Sequence, residues 1–359
     1  MTIGQRIKQA RKARNMSMRN LAEMAQISPM AISKYERDQD APSSGVLLRL
    51  AQSLDAPLDF FFRPMTATVT LQAYRKHAVL GAKEQEAIRM RIQEWLERCL
   101  ETEELFPEEH LPVNLLSYEV RSLDQVEDAA TNLRRDWKLG LDPIENLTQL
   151  LEDQGIKVGL VDGFEHFDAC TFLANNNPVI VSKADLPGDR QRFNLSHELG
   201  HLILQIVGEL DPEDVSHRFV GAFLAPADAV RFELGVRRST LDMNELYLLK
   251  HKYGLSMQAW IFRAKDLDII TKSMARRLFQ QFRVYGWHRR EPGADYPSEK
   301  PLRMERLIYR ALAEGLISRS KAQELQGGPL QASWIEGVKQ SDDSLVGADH
   351  RYQYLDRSG

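Results

Sequence analysis

The feature that most constrains the fold of this chain is an H-E-x-x-H pattern, formed by His197, Glu198 and His201 within the run 192–202. Apolar residues recur here at helical spacing, which predicts a helix with one buried face. That face consists of Leu195, Leu199, Leu202 and Ile206. Each histidine follows a leucine of this face by two residues, about 200° around the helix. We therefore expect both imidazoles to point away from the core, toward a cleft.

Histidines four residues apart share one helix face, so both can reach one metal ion. The spacing is that of zinc metallopeptidases. We predict that His197 and His201 bind zinc and that Glu198 is the catalytic base. The zinc ion would lower the pKa of its bound water and polarise the scissile carbonyl. Glu198 would accept the water proton and pass it to the leaving amine.

A catalytic zinc needs a third protein ligand, and Glu213 is the best candidate. Asp211 and Pro212 are typical of an N-cap followed by proline at the first helical position, which predicts a helix over 213–224. Its apolar side is formed by Val215, Phe219, Ala222 and Phe223. Glu213 shares a different face with His217, which is either the ligand instead or a neutral donor to the oxyanion. Two further histidines are expected on the surface or behind the ligands: His166 and His251.

A length of 359 residues predicts two or three domains. No run approaches the roughly 20 apolar residues of a membrane span, and the polar, basic N-terminus is unlike a secretory signal. Cys99 and Cys170 lack a CxxC partner, which excludes a disulfide framework or an all-cysteine zinc site. Free thiols fit a reducing compartment, so we expect a cytoplasmic protein.

The N-terminal segment is basic in an otherwise acidic chain. Residues 1–65 carry ten Lys or Arg against six Asp or Glu, whereas the whole chain has a net charge of −4. Such asymmetry favours contact with nucleic acid. The pattern predicts short helices from Ile3, from Met18 to Ala25 after Ser17, from Pro29 to Arg37 after Ser28, and around Leu47–Leu54. Two short helices joined by a tight turn indicate a helix-turn-helix; the alternative is a bundle that binds protein.

The pattern Leu21-Ala22, Ile27-Ser28 and Ile32-Ser33-Lys34-Tyr35-Glu36-Arg37 resembles the XRE (λ-repressor-like) family. The resemblance implies that the helix over 28–36 enters the major groove of double-stranded operator DNA, usually as a dimer. By this resemblance the DNA-contacting residues are Arg19, Ser28, Pro29, Met30, Ser33, Lys34 and Arg37, with the two arginines on phosphates. Family members often have Gln where Met18 stands, so readout there would be contact with a thymine methyl.

The middle of the chain alternates helices and short strands. We predict a strand over 66–74, a long amphipathic helix over 82–106, and two helices between 122 and 155. The long helix is either a scaffold or a spacer or dimerisation surface. Three strands are then expected at Ile156–Val161, Ala169–Leu173 and Val179–Val181, with a turn at 175–178. The second of them is our candidate for the edge strand that pairs with an extended substrate.

The run 142–226 resembles the ImmA/IrrE family of metallopeptidases. The matching pieces are Arg190, Arg192-Phe193, the H-E-x-x-H motif, and Glu213, Phe219 and Phe223-Leu224-Ala225-Pro226. The resemblance implies zinc bound by His197, His201 and Glu213, with Glu198 as base. Family members often have Asn in place of His217, which leaves the oxyanion donor open. They commonly have Met in place of Ala225.

Residues 240–335 are predicted to be helical, with a loop at 287–301 and a helix over 302–325. A second helix-turn-helix-like pattern around Leu249 and Met257 is interpreted as structural or protein-binding. The last residues are polar and are expected to fray.

We therefore expect a mainly α fold with a small β-sheet (α+β). Its parts would be a helix-turn-helix domain at 1–65, a zincin-like domain with its linker at 66–239, a helical domain at 240–335 and a polar tail at 336–359. The predicted function is a cytoplasmic, homodimeric DNA-binding regulator. Its zinc-dependent endopeptidase domain would cleave a regulatory protein, a toxin or the chain itself. The alternative is a non-proteolytic regulator or antitoxin whose metallopeptidase fold senses a ligand or partner.

Overall fold

The computed structural model describes residues 2–63, 81–109, 111, 113, 115–174 and 177–330. These residues form a mainly α structure with two small sheets, which confirms the predicted fold class. The predicted strand at 66–74, part of the turn at 175–178 and the polar tail lie outside the described residues. So do the predicted boundaries at 65/66 and 335/336; the remaining boundary, at 239/240, stays a prediction.

The N-terminal bundle has the four predicted helices and a closing 3-10 turn. They are α1 (Ile3–Ala13), α2 (Met18–Met24), α3 (Pro29–Glu36), α4 (Ser44–Ser53) and the turn Leu58–Phe62. The hydroxyls of Ser17 and Ser28 accept the backbone N–H of Asn20 and Ala31, so both act as the predicted N-caps. Ile32 and Tyr35 are buried in the bundle core, as the spacing predicts.

Helix α5 (Ala82–Glu104) is the scaffold on which the other parts of the chain pack. It contacts α1 of the bundle, strand β2 (Lys157–Val161), and two C-terminal helices, α14 (Arg303–Ala313) and α15 (Arg319–Gln326). A buried ion pair between Arg6 and Glu97 joins α1 to α5. Cys99 is buried on this helix and burial raises the pKa of its thiol to about 12, so the side chain packs as a small hydrophobe.

The central sheet has three strands in the order β2-β4-β3. The middle strand, β4 (Asn177–Lys183), pairs in parallel with β2 and antiparallel with β3 (Ala169–Ala174). All three predicted strands are therefore present, and β3 lies at an edge. Two helices precede the sheet, α6 (Leu123–Asp136) and α7 (Leu147–Asp153).

The metal-motif helix is shorter than the apolar spacing suggests. Helix α8 spans Gly188–Ile203, and Leu204 then turns to extended backbone and begins strand β5 (Leu204–Ile206). Strand β5 pairs in parallel with β1 (Tyr118–Val120). The assignment of Ile206 to the buried helix face was therefore wrong. Pairing with a distant strand supplies the hydrogen bonds that a further helical turn would have made.

Residues 227–330 form six helices. Those not yet named are α10 (Ala227–Leu234), α11 (Met243–Tyr253), α12 (Met257–Asp266) and α13 (Lys272–Val284). The α11–α12 pair lies in the main hydrophobic core, with Leu249 and Met257 buried, as a structural role predicts. The predicted helix over 302–325 is instead two helices, because Gly315 has a positive φ of 71° between them. Within the described ranges, no helix combines the length and apolar character needed to cross a membrane.

The buried carboxyl group of Glu152 caps the start of α14 and has a raised pKa. Its carboxylate, from α7, accepts the backbone N–H groups of Leu302 at 3.1 Å and Arg303 at 3.2 Å, at the start of α14. Burial raises the pKa of this carboxyl to about 7 despite those bonds. The folded protein therefore holds the proton more tightly than the unfolded chain, whose pKa is about 4.3.

The stabilisation from that proton is complete below the unfolded pKa and is lost as the pH rises toward the folded pKa of Glu152, about 7. We expect the unfolding free energy of the wild type to fall by about 3 kcal/mol relative to Glu152→Gln over this range, at about 1.36 kcal/mol per pKa unit. Urea unfolding of both proteins at either end of the range measures the difference. A constant difference would contradict the protonated state.

Candidate metal centre and helix-turn-helix surface

The two histidines of the motif meet at the exposed side of α8. The Nε2 atoms of His197 and His201 are 3.0 Å apart, and the rings stand edge to face. Leu195 and Leu199 are fully buried, so the imidazoles lie on the opposite side of the helix from the core, as the spacing predicts. His201 is exposed and His197 is half-buried.

The carboxylate of Glu213 reaches the motif from a second helix, α9 (Pro212–Leu224). Its Oε2 atom is 3.8 Å from Nε2 of His197. The Asp211 side chain accepts the N–H of Glu213 at 2.7 Å, so the predicted N-cap orients the first turn of α9. His197 thus lies close to both other predicted ligands, although Glu213 is sixteen positions after it in the chain. The donors that all lie within 4.8 Å of one another are those of His197, Glu213 and His217, and His201 is outside this group.

Helix α9 can approach α8 closely because residue 200 is a glycine. A Cβ atom built there would lie 3.1 Å from the ring of Phe219, which is fully buried between the helices. That distance is tighter than ordinary van der Waals contact. The glycine at the second x position of H-E-x-x-H is therefore required by the packing of the two helices. The spacing of the metal ligands alone does not explain it.

His217 lies on the same face of α9 as Glu213, one turn later. Its Nε2 is 4.0 Å from Oε2 of Glu213. Donor atoms of His197, Glu213 and His217 all lie within 4.8 Å of one another, so these three also form a possible cation-binding group. The structure therefore places His217 at the edge of the site. Both roles that the sequence left open for it, metal ligand and oxyanion donor, remain predictions.

The residue types suit a zinc ion, and His197 lies within ligand–ligand distance of both His201 and Glu213. Zinc binds imidazole nitrogen and carboxylate oxygen at about 2.0–2.2 Å, so two ligand atoms of one ion lie less than about 4.2 Å apart. The separations of 3.0 Å between the histidines and 3.8 Å from His197 to Glu213 both meet this condition. Glu198 lies on the same helix and is 9% exposed, a burial that requires polar partners for its carboxylate.

Two buried cations hold the start of α8, and their partners were missed by sequence reasoning. Arg192 pairs with Glu299 and donates to the Ile144 carbonyl at 2.8 Å. Lys250 of α11 lies between Asp189 at 3.3 Å and Glu291 at 3.2 Å. The carboxylates at 291 and 299 belong to the predicted loop before α14, about a hundred residues away. No local pattern in the sequence signals such pairs.

The two weaker histidine candidates, His166 and His251, are not in the group of mutually close donors. His166 is exposed in the β2–β3 connection, and His251 packs against the rings of Tyr247 and Tyr296. A separate cavity of about 170 Å³ lies between α5, β2 and α14, and is lined by Trp95, Glu152, Lys157 and Arg303 among others.

The predicted DNA-contacting residues share one accessible surface around α2 and α3. Arg19, Ser28, Pro29, Met30, Lys34 and Arg37 are exposed, and Ser33 is half-buried. Met30 is 68% exposed, which a core methionine would not be. Behind this surface, a buried two-bond ion pair between Arg11 and Glu36 holds α3 against α1, at 2.5 and 2.8 Å.

Comparison with known families agrees with both resemblances. A helix-turn-helix family model matches residues 7–61, and the model of the IrrE N-terminal-like domain, a peptidase family, matches residues 152–265. The chain thus carries an XRE-type helix-turn-helix domain followed by an ImmA/IrrE-like domain. The second match ends within α12.

Two curated relatives match the N-terminal part alone. An uncharacterized HTH-type transcriptional regulator of Rickettsia prowazekii is 37% identical over 60 residues, which is 17% of this chain and 46% of that protein. An uncharacterized transcriptional regulator in the ATPase CF(0) region of Rhodospirillum rubrum is also 37% identical over 60 residues, again 17% of this chain, and 56% of that protein. The chain spans about half the length of these relatives.

Among solved structures, ComR from Streptococcus suis aligns over 91% of this chain and 93% of its own, with 10% identity and a TM-score of 0.16. A score this low does not indicate a shared fold.

Replacing each histidine in turn separates metal binding from other roles. We expect His201→Ala to lower the zinc content of purified protein strongly, because it removes one of three ligands. His217→Ala should keep its zinc and lose about 10²-fold or more in kcat for a cleaved peptide, the usual effect of losing an oxyanion donor. Metal analysis by mass spectrometry gives the first result. Loss of zinc from His217→Ala with retention by His201→Ala would exchange the two assignments.

Proposed function

We propose that this protein is a DNA-binding transcriptional regulator with a zinc-dependent endopeptidase domain that cleaves a regulatory protein or the chain itself. The observation that carries the proposal is the closeness of His197 to both His201 and Glu213, from two helices, on the helix that also carries the motif glutamate Glu198. It occurs in a chain that also has a helix-turn-helix domain. The comparisons support the two domain classes, and the activity is our inference.

In this proposal His197, His201 and Glu213 hold a Zn2+ ion, which supplies Lewis acidity toward a peptide carbonyl and toward water. Glu198 takes the proton from water and delivers it to the leaving nitrogen. His217, exposed beside Glu213, donates a hydrogen bond to the oxygen on which negative charge develops. Phe193, whose ring lies 5.6 Å from that of His217, limits the freedom of the imidazole.

The substrate in this proposal is an extended polypeptide that pairs with strand β3. Strand β3 is an outer strand of the sheet β2-β4-β3, and extended peptides can add to outer strands of a sheet. The strand also packs on α8, which carries the two histidines. Leu173 on this strand is 61% exposed and would contact a substrate side chain.

The DNA part of the proposal uses the surface of α2 and α3. Pro29, Met30, Ser33 and Lys34 would meet base edges, and Arg19 and Arg37 would contact phosphates. We further propose that the protein acts in the cytoplasm as a homodimer on two half-sites. Cleavage would then relieve repression by separating DNA-binding heads from the parts that pair them.

Replacing Glu198 with Gln tests the peptidase. We expect Glu198→Gln to keep the zinc content of the wild type and to lose cleavage, because an amide does not accept a proton from water. Both proteins are incubated with zinc and candidate partner proteins, and products are identified by mass spectrometry.

The matched control is Glu209→Gln, an exposed glutamate between the two ligand helices. Cleavage that survives in Glu198→Gln would remove Glu198 from its role. Absence of product from every wild-type pairing would favour the sensor alternative.

Replacing Lys34 and Arg37 with Gln tests the DNA surface. We expect the double variant to bind a duplex of its own promoter at least tenfold more weakly, since each lost base or phosphate contact costs about 1–3 kcal/mol. Fluorescence anisotropy at fixed salt measures the change. Lys8→Gln, an exposed cation of α1 outside this surface, should bind as the wild type does. Equal binding by all three proteins would place the DNA contact elsewhere.

A further inference from the structure

The C-terminal part of the described structure has a dense group of exposed cations that the metal centre does not use. From Lys272 to Arg290 the chain has six Lys or Arg and no Asp or Glu. We call this group the α13 patch; its members are Lys272, Arg276, Arg277, Arg283, Arg289 and Arg290. All six are exposed. Its charge exceeds the net +4 of the first 65 residues, in a chain whose net charge is −4.

The patch cations are not neutralised by their surroundings. Among the described residues, no acidic side chain pairs with any of them, whereas other cations of the same region are paired. Lys265 pairs with Asp266 at 3.0 Å, and Arg263 pairs with Glu127 in the interior. The patch therefore keeps its full positive potential toward solvent.

Helix electrostatics do not account for this arrangement. Cations near the C-terminus of a helix are stabilised by its dipole, but Lys272 is the first residue of α13, where positive charge is unfavourable. The first turn contains no acidic residue to compensate it. Lys272, Arg276 and Arg283 lie within about 40° around the helix axis and extend over about 16 Å. These three cations thus form one charged stripe along the helix, and Arg277 lies about 100° from it.

The turn after α13, which carries the other two arginines of the patch, is held against the helix. The ring of Trp287 packs edge to face on the buried Phe282 at 5.6 Å and stacks on Tyr285 at 4.8 Å. The backbone N–H of Arg289 donates to the Gly286 carbonyl at 3.1 Å. Because the helix and the turn are ordered, the backbone that carries these cations loses little conformational freedom when it meets a polyanion.

We propose that the α13 patch binds the phosphate backbone of duplex DNA, as a second contact beside the helix-turn-helix surface. The inference extends the DNA binding proposed above. Each strand of a duplex carries one phosphate for about every 3.4 Å of helix axis. A stripe of about 16 Å therefore spans several phosphates. Arg side chains suit phosphate through bidentate hydrogen bonds. Such contacts carry no sequence information and would strengthen binding and fix its orientation.

The test measures the affinity of the full chain for a random-sequence duplex of about four helical turns. Fluorescence anisotropy gives the binding constant K at a series of salt concentrations. We expect Lys272→Gln/Arg276→Gln/Arg283→Gln to bind at least tenfold more weakly at low salt. The slope of log K against log salt is negative and should become less steep by about 2.7, at about 0.9 for each of three lost phosphate contacts. The control Arg121→Gln/Arg135→Gln/Arg319→Gln removes the same charge from exposed sites outside the patch and should keep both values.

A triple patch variant that binds the duplex with wild-type affinity and slope would overturn the inference. So would a variant that keeps its duplex affinity and loses binding to a polyglutamate peptide, since the patch would then be a site for acidic protein. If the triple variant does not fold, Arg289→Gln/Arg290→Gln in the exposed turn is measured in its place, with an expected slope change of about 1.8. The Lys34→Gln/Arg37→Gln variant on its own promoter tests the helix-turn-helix separately, so either contact can fail alone.

Discussion

The close packing of α9 on α8 is the contact on which the rest of the site depends. Two imidazoles on one helix make only part of a zinc site, and the missing carboxylate must come from outside that helix. Gly200 lets the ring of Phe219 pack directly on α8, and this contact brings the first turn of α9 beside His197. Asp211 then orients that turn through its N-cap bond, so that Glu213 extends toward the imidazole.

A second layer of interactions keeps α8 itself in place. Arg192 and Lys250 are almost completely buried, and each pairs with a carboxylate from the connection between α13 and α14. Buried ion pairs are weak sources of net stability, but breaking one leaves an uncompensated charge that costs about 3–5 kcal/mol. These pairs therefore fix the position of the N-terminal part of α8, because any shift would separate the paired charges. The C-terminal segment supports the candidate metal centre without contributing a ligand to it.

Helix α5 relates the head to the body. Its Glu97 pairs with Arg6 of α1, its Arg91 donates to both the Ala13 carbonyl and Asp162, and its Glu103 pairs with Lys157 of β2. Burial raises the pKa of Glu97 although Arg6 opposes the shift. The helix-turn-helix domain is thus attached to α5 through α1, and the exposed surface of α3 stays accessible. A change in the body that moves α5 would move the DNA-binding head with it.

Local chemistry is why so much could be predicted from the sequence. The spacing of His197 and His201, the serine caps at 17 and 28, and the Asp211-Pro212 start of α9 depend on residues within one or two helical turns. The three strands of the central sheet followed from their apolar runs in the same way. Ile206 misled because its spacing fits a helix as well as a strand, and only the pairing of β5 with the distant β1 decides between them. The helix expected over 302–325 failed at Gly315, where a single positive φ interrupts the chain.

The amino-acid sequence by itself determined most of the element types, the two domain classes and the residues that can serve as donors. Only the tertiary structure decided which of those donors meet: it set Glu213 and His217 against the motif, joined Arg192 to Glu299, and left the α13 cations facing solvent. The physical reason is range. Helix capping and apolar periodicity act within a few residues, whereas strand pairing, metal chelation and ion pairing bring atoms together in space whatever their separation along the chain.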